Sequence, residues 1–404
     1  MPTFASTRRY WLPQLVLLSL LALVGTLPFW LTDLDLRVSG RFFHPGADDP
    51  WFQAQEPLWT FLYQLAPLLS ALVMIGSLVV LVIGAYSARF SRLRLYAVFV
   101  IAVFALGPGL LVNEVFKEHW GRPRPHQLSA FGGTKAYLPP LMPGATSEGK
   151  SFPCGHSSVG YALVAFVLIW LRRRPWLAAA ALGVSLVIGS LLGVGRIVAG
   201  DHFLSDVIWS GVIVYAVALG LFYFVLRIPG REDAWAAGPP PRLAPAKHPR
   251  LALAGYLLLG AAMLGAVLLA TPVSQNEIER VRPAEWSPPP RVLRLAADRA
   301  DLTLYRLSGD GSVTAEVRLR ARGFGLPGNR VEMSRRVEDA VLDYGIRHAG
   351  VFTEKDTRVL VGVLPGAWDR VEIRTGKGDI RVEAGPELAP VLDLDAAHGQ
   401  VLRP

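Results

Sequence analysis

Seven apolar runs, each about as long as a bilayer is thick, leave this 404-residue chain few ways to fold. A helix needs about 20 apolar residues to cross the hydrocarbon core, and inside lipid its backbone groups must pair within the segment. The runs lie at 11–31, 57–85, 94–116, 156–172, 176–195, 203–227 and 251–271. The chain is 52% hydrophobic, too apolar for an ordinary soluble protein. The first run has the look of a signal peptide. It is long, however, and lacks a small-x-small cleavage site, so it reads as a retained anchor.

Charge sets the expected orientation. The formal net charge is +9, and much of it is Arg near apolar segments. Arg8 and Arg9, then Arg89, Arg92 and Arg94, then Arg172, Arg173 and Arg174, then Arg227, Arg231, Arg242, Lys247 and Arg250 fall on alternate loops. The positive-inside rule puts these groups in the cytoplasm. Loop 117–155 is also basic, but its cations belong to a motif described below. No basic run with interleaved aromatics suggests a nucleic-acid groove. The single cysteine, Cys154, excludes an internal disulfide framework.

The expected fold class is an all-α polytopic membrane helix bundle with a C-terminal all-β soluble domain. Residues 1–227 form the six-span part, with segment 32–56 lying on the membrane surface or forming a loop. Segment 228–250, with Pro239, Pro240, Pro241, Pro245 and Pro249, reads as an extended cytoplasmic linker. Residues 251–271 are the seventh helix, and 272–290 a Pro-rich spacer. Residues 291–404 read as strands: Val313, Ala315, Val317 and Leu319 alternate, as do Val359, Val361 and Val363. Gly309-Asp310-Gly311 and Gly376-Lys377-Gly378-Asp379 are turn signals. The stretch VEIRTGKGDIRVE resembles a rung or two of the adhesin-type β-solenoids of bacterial envelopes, and a plain β-sandwich is the alternative.

Three segments at the ends of apolar runs carry the chemistry: Lys117-EHWGRP-Arg124-Pro125, Pro153-Cys154-Gly155-His156 and Arg196-IVAGD-His202-FLS-Asp206. Alternation of the spans puts all three on the face opposite the cytoplasmic loops. A phosphate monoester is largely a dianion near neutral pH. Lys117, Arg124 and Arg196 are three cationic grips for it, and they also stabilise charge in the transition state. The bland reading of each is a cation facing lipid headgroups. His202 and Asp206 share a helical face if a helix begins near them. Asp206 then accepts from one ring nitrogen and leaves the other to attack phosphorus. An Asp in the first turn of a membrane span is costly unless it is paired or functional. His156 follows a Pro-x-Gly turn that brings backbone amides and imidazole toward one anion, and it is the expected general acid. His119, Arg122 and His126 crowd the same loop, either as headgroup readers or as solvated positions. Asn113 and Glu114 end the third run, with Glu114 spaced to pair with Lys117.

These segments resemble the type-2 phosphatidic acid phosphatase family, which also holds acid phosphatases and vanadium haloperoxidases. Its pattern is K-x6-RP, PSGH and SR-x5-H-x3-D, and the resemblance covers roughly residues 57–220. It implies a phosphohistidine on His202, oriented by Asp206, with His156 as acid. Lys117, Arg124, Arg196, position 154 and the Gly155 amide are implied as phosphate ligands, with no metal and no cofactor. Two positions depart from the pattern: Cys154 and Gly195 each stand where it has serine. A thiol donates more weakly than a hydroxyl, and Ser157 or Ser158 is placed to compensate. Attack by a Cys154 thiolate is the rival chemistry, but CGHSSVG lacks the longer anion cradle ending in Arg that cysteine phosphatases show.

The expectation is thus a multi-pass bacterial inner-membrane phosphatase with its active site and C-terminal domain on the periplasmic side. The substrate classes are lipid A, undecaprenyl diphosphate, phosphatidylglycerol phosphate and phosphatidate. The aromatic N-terminal segment and GDHFLSD resemble the lipid A phosphatase branch. Transfer of the phosphate to a lipid acceptor is one alternative. The other is an envelope interaction protein whose β tail binds glycan or protein. Ala261 and Gly265 have the small-xxx-small spacing of a homodimer face.

Overall fold

The computed structural model describes residues 4–47, 49–145, 149–237, 249–385 and 387–403. The chain divides into two compact units, Met1–Leu264 and Gly265–Pro404. The first unit is helical. It contains α1 (Phe4–Val24), α2 (Leu27–Leu31), α3 (Leu34–Gly40), α4 (Pro57–Tyr86), α5 (Leu93–Phe104), α6 (Gly155–Tyr161), α7 (Val164–Leu171), α8 (Pro175–Val198), α9 (Leu204–Leu219), α10 (Ile228–Ala237) and most of α11 (Pro249–Leu269). Among the described residues, five apolar helices are long enough to cross a membrane: Arg8–Leu31, Pro57–Tyr86, Leu93–Lys117, Pro175–Val198 and Leu204–Val225. The fourth expected run, 156–172, is a shorter helix, Gly155–Leu171, that turns at Ala162 and Leu163 between α6 and α7.

The helices are held by an apolar core and by glycines. Phe99, Val103, Phe104, Val112, Val214 and Phe222 are buried in one cluster. A Cβ on Gly160 would lie 2.4 Å from the backbone nitrogen of Gly189, so α6 and α8 touch backbone to backbone. Without water between lipid-facing helices, such close packing is what associates them. Past Phe104, helix α5 widens into a π-helical segment, Ala105–Lys117. Pro108 lies inside it and has no N–H to give, and the Asn113 side chain donates to the Pro108 carbonyl at 2.8 Å.

Segment 32–56 is not a bare loop: it holds α3 and a short turn at Phe52–Gln55, and part of it caps the motif end of the helical unit. Trp51 packs with Leu128, Phe131 and Phe203, all buried. The expected extended linker begins instead as helix α10, because Arg172 pairs with Asp233 at 2.6 Å and with Glu232 at 3.4 Å. The remainder, 238–248 with Pro239, Pro240, Pro241 and Pro245, lies outside the described residues.

The second unit is all-β. Its strands are β1 (Thr271–Val281), β2 (Val292–Ala297), β3 (Asp301–Arg306), β4 (Ala315–Gly325), β5 (Arg330–Glu338), β6 (Val341–Ala349), β7 (Phe352–Val363), β8 (Arg370–Thr375), β9 (Ile380–Val382), β10 (Leu392–Ala396) and β11 (Val401–Leu402). One sheet has the order β1-β4-β7-β3-β9-β11 and the other β10-β8-β2-β6-β5. The pairs β6/β7, β2/β3, β8/β9 and β10/β11 therefore stack as four rungs, and each rung gives one strand to each sheet. Neighbouring rungs pair in parallel. The stretch VEIRTGKGDIRVE is one such rung, β8–turn–β9. The solenoid-like stacking extends beyond the one or two rungs expected, while β1, β4 and β5 add antiparallel pairs. Segment 272–290 is not simply a spacer. Strand β1 pairs along its whole length with β4, and this unit's strands begin at Thr271.

Candidate active site

The three motifs meet at one end of the helical unit. Lys117, Arg124, His156, Arg196, His202 and Asp206 are all buried, none more than 7% exposed. Lys117 closes the π-helical segment, and Arg124 precedes a short turn that begins at Pro125. Cys154 is the residue before α6, whose first two residues are Gly155 and His156. Arg196 sits in the last turn of α8, and Asp206 in the first turn of α9.

Backbone contacts pull the motifs together. The Ser151 amide donates to the Arg122 carbonyl at 3.0 Å, and the Cys154 amide to the Asp206 carbonyl at 3.2 Å. The His126 amide donates to the Gly200 carbonyl at 3.0 Å. Two glycines sit at close approaches. A Cβ on Gly155 would lie 2.6 Å from Asn113 Oδ1, so a larger residue there would displace that side-chain amide. Gly200 has φ +67, and a Cβ there would strike the Trp51 ring at 2.6 Å.

His202 is fully enclosed. Its Nδ1 lies 2.5 Å from the Ser151 carbonyl and 3.8 Å from Asp206 Oδ2. A carbonyl only accepts, so Nδ1 carries the proton and the lone pair is left on Nε2. The hydrogen-bond partner of this nitrogen is thus the Ser151 carbonyl, where Asp206 was expected. Asp206 stands behind it, and its Oδ2 accepts from the Ser151 hydroxyl at 2.6 Å and from the Phe203 amide at 2.8 Å. The second contact caps α9 and fixes where the helix starts.

Arg122 is not a headgroup reader. It is 0% exposed and donates to Asp206 Oδ1, to Ser205 Oγ at 2.8 Å and to Asp35 Oδ2 at 2.8 Å. Its guanidinium also lies over the Phe203 ring, 4.5 Å from the centroid. Burial holds the Asp35 carboxyl above the usual carboxylate range, with Arg122 pulling the other way. The only sequence signal for Asp35 was an acid just past an apolar run. Nothing in the sequence linked it to Arg122, 87 positions away.

Asp201 was also missed. It is 1% exposed and lies 3.0 Å from Arg196 Nη2, 3.8 Å from Arg124 Nη1 and 3.6 Å from His126 Nδ1. One buried carboxylate thus holds two guanidiniums close together in spite of their like charge. His126 Nδ1 donates to the Gly200 carbonyl, 2.8 Å away, and His126 is not a solvated loop residue. His119 is exposed, with Nδ1 3.0 Å from the Val115 carbonyl. Glu114 is exposed as well.

Cys154 is 0% exposed and hydrogen-bonds with His202. Burial pushes its thiol up, but His202 and hydrogen bonds with Ser157 outweigh that and bring it down to about 7. The same contact works on His202: burial lowers it, and Cys154 with Asp206 carries it net upward. Ser157 and Ser158 do not replace the missing serine. Ser157 Oγ meets the Cys154 carbonyl at 3.1 Å and Ser210 Oγ at 2.6 Å, and Ser158 Oγ donates to the Gly155 carbonyl at 2.7 Å.

Residues 95–229 match the PAP2 superfamily. The lipid A 4'-phosphatase of Francisella tularensis subsp. novicida is 35% identical over 185 residues, which are 45% of this chain and 82% of that protein. The lipid A 4'-phosphatase of Rhizobium leguminosarum is 34% identical over 126 residues, 30% of this chain and 52% of that protein. Among solved structures, a cell-adhesion-type protein from Clostridium sporogenes shares 13% identity over 32% of this chain and 59% of its own, with a TM-score of 0.23. An adhesin-type protein from Parabacteroides merdae shares 12% identity over 28% of this chain and 39% of its own, with a TM-score of 0.17. With its motifs gathered at one buried site in a bundle of apolar helices, the chain belongs to the PAP2 superfamily and is a bacterial membrane lipid phosphatase.

Proposed function

We propose that the chain removes the 4'-phosphate of lipid A through a phosphohistidine on His202. The observation that carries this reading is the tautomer lock: the Ser151 carbonyl 2.5 Å from His202 Nδ1 leaves the Nε2 lone pair for phosphorus. Lipid A comes from the relatives' activity, the longer match being 35% identical.

In the first step Nε2 attacks phosphorus and the N–P bond forms as the ester P–O bond breaks. The departing sugar oxygen takes its proton from His156. In the second step water attacks the phosphohistidine, His156 takes the water proton, and the N–P bond breaks to release inorganic phosphate. Lys117, Arg124 and Arg196 hold the phosphoryl oxygens, and this is the largest contribution expected from the site. Asp201 pre-arranges the two arginines, with Arg196 held at 3.0 Å. No step calls on a metal, because these cations meet the charge. Clusters of Arg at 89–94 and 172–174 lie in the loops between the spans at the other ends of the helices, which supports a periplasmic site.

The test is phosphate release from lipid A in mixed micelles by wild type, His202→Ala and Cys154→Ala, with and without a chelator. Expected are a loss of at least ~100-fold in His202→Ala, residual activity in Cys154→Ala, and no chelator effect. Equal rates in wild type and His202→Ala would overturn the nucleophile. Loss of the lipid phosphate without free phosphate would turn hydrolysis into transfer.

A further inference from the structure

We propose that Tyr63 is a positioning residue that holds His156 and Arg196 against one aromatic ring. This rests on the acid role of His156 and the phosphate-binding role of Arg196 proposed above.

Tyr63 belongs to α4, a helix that carries none of the three motifs, and it is 5% exposed. Its ring stacks on His156 with centroids 5.0 Å apart and planes at 26°. The Arg196 guanidinium carbon lies 4.9 Å from the same ring centroid. One side chain thus touches a member of the second motif and a member of the third.

The contact has a consequence for each. The face of an aromatic ring carries negative potential and attracts cations, more strongly when they are desolvated. It stabilises the Arg196 charge. Stacking also limits how the imidazole swings about its side-chain bond. An acid displaced by about 1 Å can lose about 100-fold in rate.

The placement of Tyr63 depends on how α4 seats on α8. Leu62 and Ala66 pack with Leu192. A Cβ built on Gly195 meets the Trp59 ring at 3.4 Å. Gly195, which stands where the family pattern has serine, thus faces the indole four residues before Tyr63.

The test uses the full chain in micelles, as wild type, Tyr63→Phe, Tyr63→Leu and His156→Ala. Two substrates are compared: an alkyl phosphate lipid, whose oxygen must be protonated to leave, and p-nitrophenyl phosphate, whose leaving group departs unprotonated. For Tyr63→Leu, kcat on the alkyl ester falls ~10–30-fold, while kcat on the aryl ester falls less than about 3-fold. Inorganic phosphate also inhibits it more weakly than it inhibits wild type. Tyr63→Phe keeps wild-type behaviour, because the ring face acts and not the hydroxyl. Equal kcat losses on both esters, or a Phe variant as poor as the Leu variant, would reduce Tyr63 to a packing residue. If His156→Ala shows no dependence on the leaving group, the acid role fails instead. The phosphate inhibition of Tyr63→Leu then still reports on the contact with Arg196.

Discussion

The guanidinium of Arg122 donates from Nη2 to Asp35 Oδ2 at 2.8 Å, with both side chains 0% exposed. The contact ties the cap segment to the first motif, and Arg122 continues on to Asp206, whose other oxygen lies 3.8 Å from His202 Nδ1. A buried ion pair is weak support for stability in itself, but removing one partner strands the other.

Arg122→Ala leaves two carboxylates buried without their cation, a loss of about 3–5 kcal/mol. Arg122→Lys should recover little, since one ammonium cannot reach Asp35, Ser205 and Asp206 with a planar fork. Thermal unfolding in detergent reads this directly, and a melting curve unchanged in Arg122→Ala would contradict it.

Cys154→Ser tests the acid side of the pH profile. His202 must be neutral to attack, and its contact with Cys154 keeps it protonated to higher pH than an ordinary histidine. A serine does not titrate, so the replacement lowers the His202 pKa. The acid limb of kcat/KM then moves to lower pH. An unmoved limb would mean that the thiol does not set the charge of His202.

Gly160→Ala tests the contact between α6 and α8. The added carbon would meet the Gly189 backbone at 2.4 Å, so one helix must move. Overpacking of this kind costs about 1–3 kcal/mol. Because α6 carries His156 four residues earlier, kcat should fall along with the melting temperature. A variant with wild-type kcat would show that the acid is held independently of this crossing.

Every proposed catalytic and phosphate-binding residue lies in the helical unit. A chain ending before Thr271 should therefore release phosphate from micellar lipid within about 3-fold of the full chain, since a domain with its own core can fold alone and the helical unit keeps every one of those residues. A rate lower by orders of magnitude, with the truncated protein still folded by circular dichroism, would give the β unit a part in the reaction.

The apolar helices, the strand-rich tail and the three motifs were legible before any packing was known. Each of these is written in local spacing: apolar runs of bilayer length, alternation of period two, and cations and histidines at set intervals. The sequence also marked Cys154 and Gly195 as departures. What it left open were partnerships between distant positions. Arg122 looked like a loop cation and is wholly buried, because Asp35 and Asp206 reach it from opposite ends of the unit's sequence. His202 and Asp206 have the spacing of one helical face, yet α9 begins at Leu204, His202 precedes it, and the Ser151 carbonyl reaches Nδ1 first. Tyr63 lies within an apolar run, where nothing local distinguishes it from lipid-facing neighbours. Spacing along a chain specifies which side chains share a helix face. Which of them are buried, and against what, is decided only when helices pack, and that packing depends on glycines such as Gly160, which lets the backbones of α6 and α8 approach.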